Sequence, residues 1–265
     1  MQQLLRETKA ILNSLATFNH KPPSPISAHI ASSDFQALYK IMDEQTSSSP
    51  LGRHIGHYKA AVKHDHLANL HSMMMSIPMQ AGFSPERWRQ IIDVMLEKKQ
   101  GDHRVHRLRI IALQESDFNQ CNGLLIGRPV LHNLEDHQVL PDMQHGSRPS
   151  KMCHSAVLKK QLTFDIHRYK KQTIAYIEND AVGFYDRIAN PLILIFLQIL
   201  GLSPSVMVSL AKTWEHTYHR IKTIWDFSGA IHKPDSHAAI WPRSRIHIRT
   251  PTMVALLFPN LPLPR

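Results

Sequence analysis

The amino-acid sequence predicts an α+β fold, and three observations support that class. Apolar residues recur at helical spacing through much of the first hundred residues. Residues 107–113 (RLRIIAL) alternate as a strand does. A further apolar strand leads into residues 177–188 (IENDAVGFYDRI), where it delivers acidic side chains. We therefore expect a mainly helical N-terminal part, followed by short strands and further helices.

The predicted helices are separated by proline, serine and glycine. Residues 1–18 carry leucine and isoleucine at helical spacing, and residues 20–33 form a linker rich in proline and serine. Further helices are predicted over residues 33–43, 60–79, 85–99, 115–128 and 189–200. Ser84 is a candidate N-cap for the helix that begins at PERW, with Pro85 in its first position. Within residues 115–128, the Asn-Gly step at 122 and 123 is the one feature that does not fit a helix.

The charge of the chain favours a polyanionic partner. Lysine and arginine number 31 against 21 acidic residues, which gives a formal net charge of +10 over 265 residues. The excess is spread along the chain, as in proteins that bind phosphate backbones. With 43% apolar residues, the chain has enough material for a sizeable core. Simple basicity without a nucleic-acid partner remains the alternative.

Composition also bears on compartment and metal content. Two cysteines, Cys121 and Cys153, form no disulfide framework, so we expect an intracellular protein, nuclear or cytoplasmic. The longest apolar run, residues 191–202, is too short to span a bilayer, and the N-terminus does not resemble a secretory signal. Nineteen histidines occur without cysteine or paired acids at zinc spacing, which favours a solvated surface role.

The segment IENDAVGFYDRI is a candidate metal site. It places Asp180 and Asp186 on either side of an aromatic residue, Tyr185. A strand holds its terminal side chain rigidly, and a carboxylate there can bind Mg²⁺ during phosphoryl transfer. Acidic residues at a helix N-terminus, stabilised by the macrodipole, are the alternative interpretation.

Five segments in order resemble the fingers and first palm segment of a reverse transcriptase encoded by a non-LTR type retroelement. They are SSPLGRHIGHYK, FSPERWRQIIDVMLEKKQGDHRVHRLRIIALQESDFNQ, GLLIGR, QHGSRPSKMCHSAVL and IENDAVGFYDRI. The resemblance covers residues 47–223. It implies that RLRIIAL and its partner helix, which ends in GLLIGR, match the family's basic strand pair, which folds over an incoming deoxynucleotide, with Arg107 and Arg109 as the triphosphate contacts. RNA or an RNA:DNA hybrid is the implied nucleic-acid partner.

The same resemblance assigns roles to the later segments. QHGSRPSKMCHSAV is similar to the family's Q-x-G-F-R-x-G-x-S segment, and Gln144, Gly146 and Arg148 match its structural positions. Serine stands at 147, where the family commonly has phenylalanine. Asp180 matches the catalytic carboxylate that binds Mg²⁺. Tyr185 and Asp186, in the same motif, match the aromatic gate beneath the sugar and a structural acid.

The second catalytic motif of that family is missing from the sequence. Two-metal nucleotidyl transfer needs a further carboxylate pair, because one acid cannot anchor both ions. After Asp186 the acids are Glu215, Asp226 and Asp235, none of them paired. We therefore expect an inactive remnant that is marginally stable in isolation. A basic module that binds RNA without chemistry, or a translated pseudogene product, is the alternative.

A change of reading frame accounts for the missing motif. With permitted codon choices, residues 239–258 read one nucleotide later can encode the family's Gly-Gln-Gly-Ser segment, so we place a frame disruption near residues 221–224. Three regions follow: N-terminal helices and linker over residues 1–46, a partial reverse transcriptase domain over 47–223, and an unstructured tail over 224–265. The nucleotide sequence through residues 215–265 tests this hypothesis.

Overall fold

The computed structural model describes residues 24–46, 50–138, 140–177, 190–222 and 226–233, together with Lys9 and Asn13, which are helical. The chain divides into two compact units. The sheet unit comprises Pro22–Val130 and Phe184–Ile248, and the loop unit comprises Met1–Lys21, Leu131–Gly183 and Arg249–Arg265. Helices and a small three-stranded sheet are both present, so the predicted α+β class is confirmed at that level.

Three helices pack together at the start of the sheet unit. They are α1 (Ser32–Ile41), α2 (Ile55–Val62) and α3 (Asp65–Ala81). The predicted single helix over residues 60–79 is therefore wrong in its bounds, because the chain breaks at His64, whose backbone is extended. This break lets α2 and α3 change direction and both pack against α1, an arrangement that depends on tertiary contacts.

Helix α3 is well fixed on its inner side. Ala68, Met75 and Met79 are buried, and the Ser76 hydroxyl accepts a hydrogen bond from the Ile30 backbone N–H at 2.9 Å. The helix ends at Gly82, whose φ of 67° is in the left-handed region that glycine adopts without strain. The inner face of α3 is thus part of the core of the sheet unit.

The helix predicted over residues 85–99 is wrong beyond its first turn. A short helix, α4 (Glu86–Arg89), is followed directly by strand β1 (Gln90–Glu97). A single 3₁₀ turn (Val105–Arg107) precedes β2 (Leu108–Leu113), which agrees with the predicted strand. The β-branched residues of β1 suit a strand, and pairing with two neighbours outweighs the helical spacing.

The sheet has the strand order β2-β1-β3, with β3 at Tyr218–Lys222. Strand β1 pairs antiparallel with β2, with Leu96 opposite Arg109, and parallel with β3, with Val94 opposite Lys222. Because side chains alternate between faces, the even-numbered residues of β1 share one face with Arg109 and Lys222. This register brings Arg109 and Lys222 to the same face of the sheet.

The helices after β2 complete the described elements. Residues predicted as helical over 115–128 form α5 (Ser116–Asn122), a π-helical segment (Gly123–Gly127) and the start of α6 (Arg128–Asp136). The Asn-Gly step does not interrupt them, because Gly123 has a helical φ of −63°. Later elements are α7 (Cys153–Tyr169) in the loop unit, and α8 (Asn190–Ile199) and α9 (Pro204–Glu215) in the sheet unit.

The start of the predicted tail contacts β3. His219 and His232 exchange backbone hydrogen bonds of 2.7 and 2.9 Å, and the Ser228 backbone N–H donates to the Ile221 carbonyl at 2.8 Å. The expectation of an unstructured tail therefore does not hold for residues 226–233. Residues 234–265 lie outside the described part of the chain. Among the described helices, none is sufficiently long and apolar to cross a membrane.

A histidine lies within an aromatic cluster of the sheet unit. The His71 ring stacks on Phe35 at 5.7 Å and meets Tyr58 edge to face at 5.6 Å. Burial is the main cause that lowers the pKa of His71, and the charge of Arg53 acts in the same direction. Protonation of His71 is therefore unfavourable in the folded protein.

We expect the free energy of unfolding to fall as the pH drops below about 6.5, the ordinary histidine pKa. The folded-state pKa of His71 is lower than this value, so the unfolded state takes up the proton first, and stability is lost as the pH falls. His71→Phe should reduce this pH dependence in urea unfolding measured between neutral and mildly acidic pH. An unchanged pH dependence in the variant would contradict the assignment.

Candidate nucleic-acid interface

The connection between β1 and β2 concentrates positive charge. Residues 98–109 contain five lysines and arginines and one acid, Asp102. Arg104 is neutralised by Asp102 through two hydrogen bonds of 2.8 Å, and this contact lowers the pKa of Asp102. The other cations, Lys98, Lys99, Arg107 and Arg109, are exposed, and no acid pairs with them in the described part of the chain. This element therefore offers cations to an external anion.

The turn at the tip of this hairpin is held by one carboxylate. Glu97 accepts hydrogen bonds from the Gly101 backbone N–H and from His103 Nδ1, both at 2.8 Å. Gly101 has a φ of 82°, in the left-handed region. The tip is thus a defined turn, and its geometry depends on glycine at 101.

Gly101 and Gly123 form a matched pair for testing this turn. Gly101→Ala places a side chain in the left-handed region, and we expect it to reduce stability by about 1 kcal/mol. Gly123→Ala occupies a helical site with no atom within 4 Å of the new Cβ, so it should raise stability by about 0.5–1 kcal/mol. Thermal melts of both variants measure the two effects, and shifts of the same sign would contradict this account.

Three cations from two different strands share one face of the sheet. Arg109 lies on β2, and Arg220 and Lys222 lie on β3, on either side of the apolar centre formed by Val94 and Leu96. Two strand spacings separate β2 from β3, which is about 10 Å across the sheet. We call Arg109, Arg220 and Lys222 the basic face. Its width suits contacts to neighbouring phosphates of a nucleic-acid strand.

Aromatic groups accompany the basic face. The Arg220 guanidinium lies 5.6 Å from the centroid of the Phe227 ring, and its buried Nε has no acceptor in the described part of the chain. Tyr218 is half-buried on the same sheet face. These β3 residues were not predicted from the sequence. The alternation of Tyr218, Arg220 and Lys222 with buried or apolar positions is the signal that could have revealed them.

The opposite face of the sheet is anchored by a contact between a histidine and an aspartate. His219 Nδ1 lies 3.0 Å from Asp93 Oδ2, and both side chains are largely buried. Ile91 and Ala112 are buried on the same side as this pair. These contacts fix β3 against β1, and so hold Arg220 and Lys222 in register with the hairpin.

In the loop unit, Arg148 stabilises the loop that contains Gln144, Gly146 and Arg148, the segment similar to Q-x-G-F-R-x-G-x-S. Its guanidinium donates to Glu135 at 2.8 and 2.6 Å and to the Pro141 carbonyl at 2.8 Å. The Gln144 side chain donates to the Gly146 carbonyl at 3.2 Å. The three matched residues of this segment therefore lie in one compact loop. The hydrogen bond from Arg148 lowers the pKa of Glu135.

His145 is a buried residue of that loop which the sequence did not indicate. Neither ring nitrogen has a hydrogen-bond partner in the described part of the chain. Burial lowers the pKa of His145, and the charges of Lys159, Lys151 and Arg148 lower it further. A second proton on His145 is therefore unfavourable in this positively charged environment.

The predicted catalytic motif cannot be placed. Asp180, Tyr185 and Asp186 lie outside the described residues, as does Asp235. Of the later acids, Glu215 ends α9 and Asp226 follows β3, and both are exposed. No cluster of three or more histidine, cysteine or acidic residues suited to a metal ion occurs among the residues that the structure describes.

Comparison with known proteins adds no relative. No protein-family model matches the chain. A search of curated proteins finds no match either.

Proposed function

We propose that this chain is a remnant of a retroelement reverse transcriptase that binds RNA or an RNA:DNA hybrid through phosphate contacts and catalyses no nucleotide addition. The observation that supports this most is the basic hairpin, whose Arg107 and Arg109 are exposed and have no acidic partner in the described residues. Arg109 lies on β2, which pairs antiparallel with β1, and Arg107 ends the turn that leads into β2, so both cations lie on one β-hairpin. The basic face extends the same positive surface onto β3.

Binding follows from charge and from the shape of the surface. Each cation that contacts a phosphate releases condensed counterions, which favours association most at low salt. Contacts to the phosphate backbone of the RNA do not depend on the base sequence, so the protein should bind RNAs of unrelated sequence with similar affinity. Tyr218 and Phe227 provide aromatic surface beside the cations, where unpaired bases can stack.

We expect no catalysis because the sequence lacks the carboxylates that two-metal transfer requires. Nucleotidyl transfer by two Mg²⁺ ions requires several carboxylates around one site. Asp180 is the residue of the sequence that matches a catalytic ligand of the family, and no two of Glu215, Asp226 and Asp235 are adjacent in the sequence. One carboxylate supports weak Mg²⁺ binding, and two-metal transfer needs more.

The binding surface is tested by removing two of its cations. The double variant Arg109→Gln/Lys222→Gln should bind a single-stranded RNA about tenfold more weakly at fixed low salt, measured by fluorescence anisotropy. Lys63→Gln, an exposed lysine at the end of α2, removes charge elsewhere and should leave the affinity nearly unchanged. An equal loss of binding free energy for each charge removed in the two variants would show that net charge alone determines binding.

Catalysis is tested by primer extension on an RNA template with Mg²⁺ and deoxynucleotides. We expect no incorporation by the wild-type chain, although the same preparation binds RNA. Incorporation that Asp180→Ala abolishes would contradict the inactive assignment. Absence of both RNA binding and extension would instead favour a pseudogene product without function.

A further inference from the structure

Apolar side chains separate the cations of the basic face. Val94 and Leu96 lie on β1, in the centre of this sheet face, and Ile111 on β2 lies opposite Val94. Leu96 is 44% exposed, and Val94 and Ile111 are half-buried. We call these three residues the apolar strip. It lies between the cation of β2 and those of β3, which are about 10 Å apart across the sheet.

Phe227 adds an aromatic ring at the edge of the same face. It lies opposite Lys222 in an antiparallel bridge, and residues directly opposite each other in such a pair point to the same side. Phe227 is therefore on the side of the cations, about 5 Å beyond β3. The order of groups across the face is cation, apolar strip, cations and aromatic ring.

Hydrogen bonds fix the segment that carries Phe227. The Ser228 backbone N–H donates to the Ile221 carbonyl at 2.8 Å, and Ser228 Oγ accepts from the Ile221 backbone N–H at 3.1 Å. The Arg220 guanidinium lies 5.6 Å from the centroid of the Phe227 ring, which is still 39% exposed. Because the ring is already held in place, a base that stacks on it costs little side-chain freedom.

This order of groups suits a single strand of nucleic acid better than a duplex. In a duplex the flat faces of the bases are covered by their neighbours in the stack, so sugars and phosphates would meet the apolar strip. An unpaired strand exposes its base faces, which can cover apolar and aromatic side chains while its phosphates contact cations. Only an unpaired strand therefore matches both the charged and the apolar parts of the face.

We propose that the basic face selects single-stranded RNA over duplex RNA and over RNA:DNA hybrids, and that a base of the strand stacks on Phe227. This selection rests on the proposed RNA binding and specifies the form of RNA that is bound. Phosphate contacts contribute affinity for all three nucleic acids, whereas the stacked base contributes affinity for the single strand alone. Every base has a flat face, so the selection does not depend on base sequence.

Fluorescence anisotropy at one low salt concentration compares the three nucleic acids. We expect the wild-type chain to bind a short single-stranded RNA about tenfold more tightly than the duplex or the hybrid of the same sequence. Phe227→Leu removes the ring but keeps an apolar side chain. It should weaken single-strand binding about tenfold and leave duplex binding nearly unchanged. Phe227→Tyr keeps the ring and should retain the preference.

Phe83→Leu is the matched control for the ring. Phe83 is 41% exposed, which is close to the exposure of Phe227, and it lies outside the sheet, between α3 and α4. The same substitution there should change neither affinity. Far-UV circular dichroism checks that the variants fold.

An abasic strand separates stacking from phosphate contact. A single-stranded RNA of the same length whose sugars carry no bases keeps every phosphate. The wild-type chain should bind it about tenfold more weakly than the intact RNA, and Phe227→Leu should lose most of this difference. The slope of log affinity against log salt concentration should be the same for the wild type and Phe227→Leu, because the ring binds no phosphate.

The outcomes distinguish this selection from RNA binding itself. Equal, salt-dependent affinity for strand and duplex would overturn the selection and leave the proposed RNA binding intact. A Phe227→Leu variant that loses as much affinity for the abasic strand as for intact RNA would also overturn it, because the ring would then only position Arg220. No salt-dependent binding of any of these nucleic acids would overturn the proposed function as well. The abasic comparison needs only the wild-type chain, so it tests the selection even if Phe227→Leu does not fold.

Discussion

Asp117→Leu should reduce the free energy of unfolding by about 3–5 kcal/mol. Asp117 is 2% exposed, and it forms an ion pair with Arg87. It also accepts hydrogen bonds from Trp88 Nε1 at 3.1 Å and from the Phe118 backbone N–H at 2.9 Å. Removal of the carboxylate leaves the Arg87 charge partly buried and these donors without an acceptor. A loss of this size is a large part of the 5–15 kcal/mol typical of a folded domain.

Urea unfolding followed by tryptophan fluorescence measures this effect. Burial disfavours the charge on Arg87, but Asp117 outweighs it, and the pKa of Arg87 is raised overall. Arg87 Nη1 also lies 3.9 Å from Oε2 of the fully buried Glu115, so the double variant Arg87→Met/Asp117→Leu should recover little of the lost stability. Asp102→Leu breaks the pair with Arg104 on the exposed turn and should cost much less stability than Asp117→Leu. Equal costs for the two aspartates would contradict the importance of burial.

Arg148→Leu should release the loop over residues 141–151 and increase its cleavage by a protease about tenfold or more. The Arg148 side chain is 8% exposed and donates to both oxygens of Glu135 and to the Pro141 and Gln144 carbonyls. Hydrogen bonds to charged groups contribute about 1.5–3 kcal/mol each, and local opening governs cleavage when reclosing is fast.

Arg168→Leu is the matched control for the loop. Arg168 also pairs with an acid of the loop unit, Asp165, at 3.6 Å, but its side chain is 81% exposed. Exposed ion pairs contribute about 0–1 kcal/mol, so cleavage should change little. Limited proteolysis with mass spectrometry locates the cut sites. Equal acceleration of cleavage in both variants would mean that loss of a positive charge, and not loss of the buried Arg148 hydrogen bonds, determines loop opening.

The local sequence signals predicted the elements that depend on near neighbours. Residues 107–113 form most of a strand with its 3₁₀ lead-in, and residues 33–43 and 115–128 are helical as predicted. Helix α8 also forms at the predicted apolar segment, and buries Ile193, Phe196 and Leu197. In each case, spacing of apolar residues and local turn chemistry determine the conformation.

The incorrect predictions concern elements whose conformation is determined by residues distant in the sequence. Residues 90–97 have apolar side chains at positions that fit either a helix or a strand, and the choice depends on β3, more than 120 positions later in the chain. The same long-range pairing creates the basic face, so Arg220 and Lys222 could not be grouped with Arg109 from local sequence. Buried Asp117 and His145 were missed because burial is a property of the folded chain.

The salt dependence of RNA affinity tests the central claim most directly. If Arg107, Arg109, Arg220 and Lys222 each contact a phosphate of single-stranded RNA, the slope of log affinity against log salt concentration should be about −3. In the Arg109→Gln/Lys222→Gln variant the slope should be about half as steep. A wild-type slope near zero, or one that the double variant leaves unchanged, would contradict phosphate binding by this sheet.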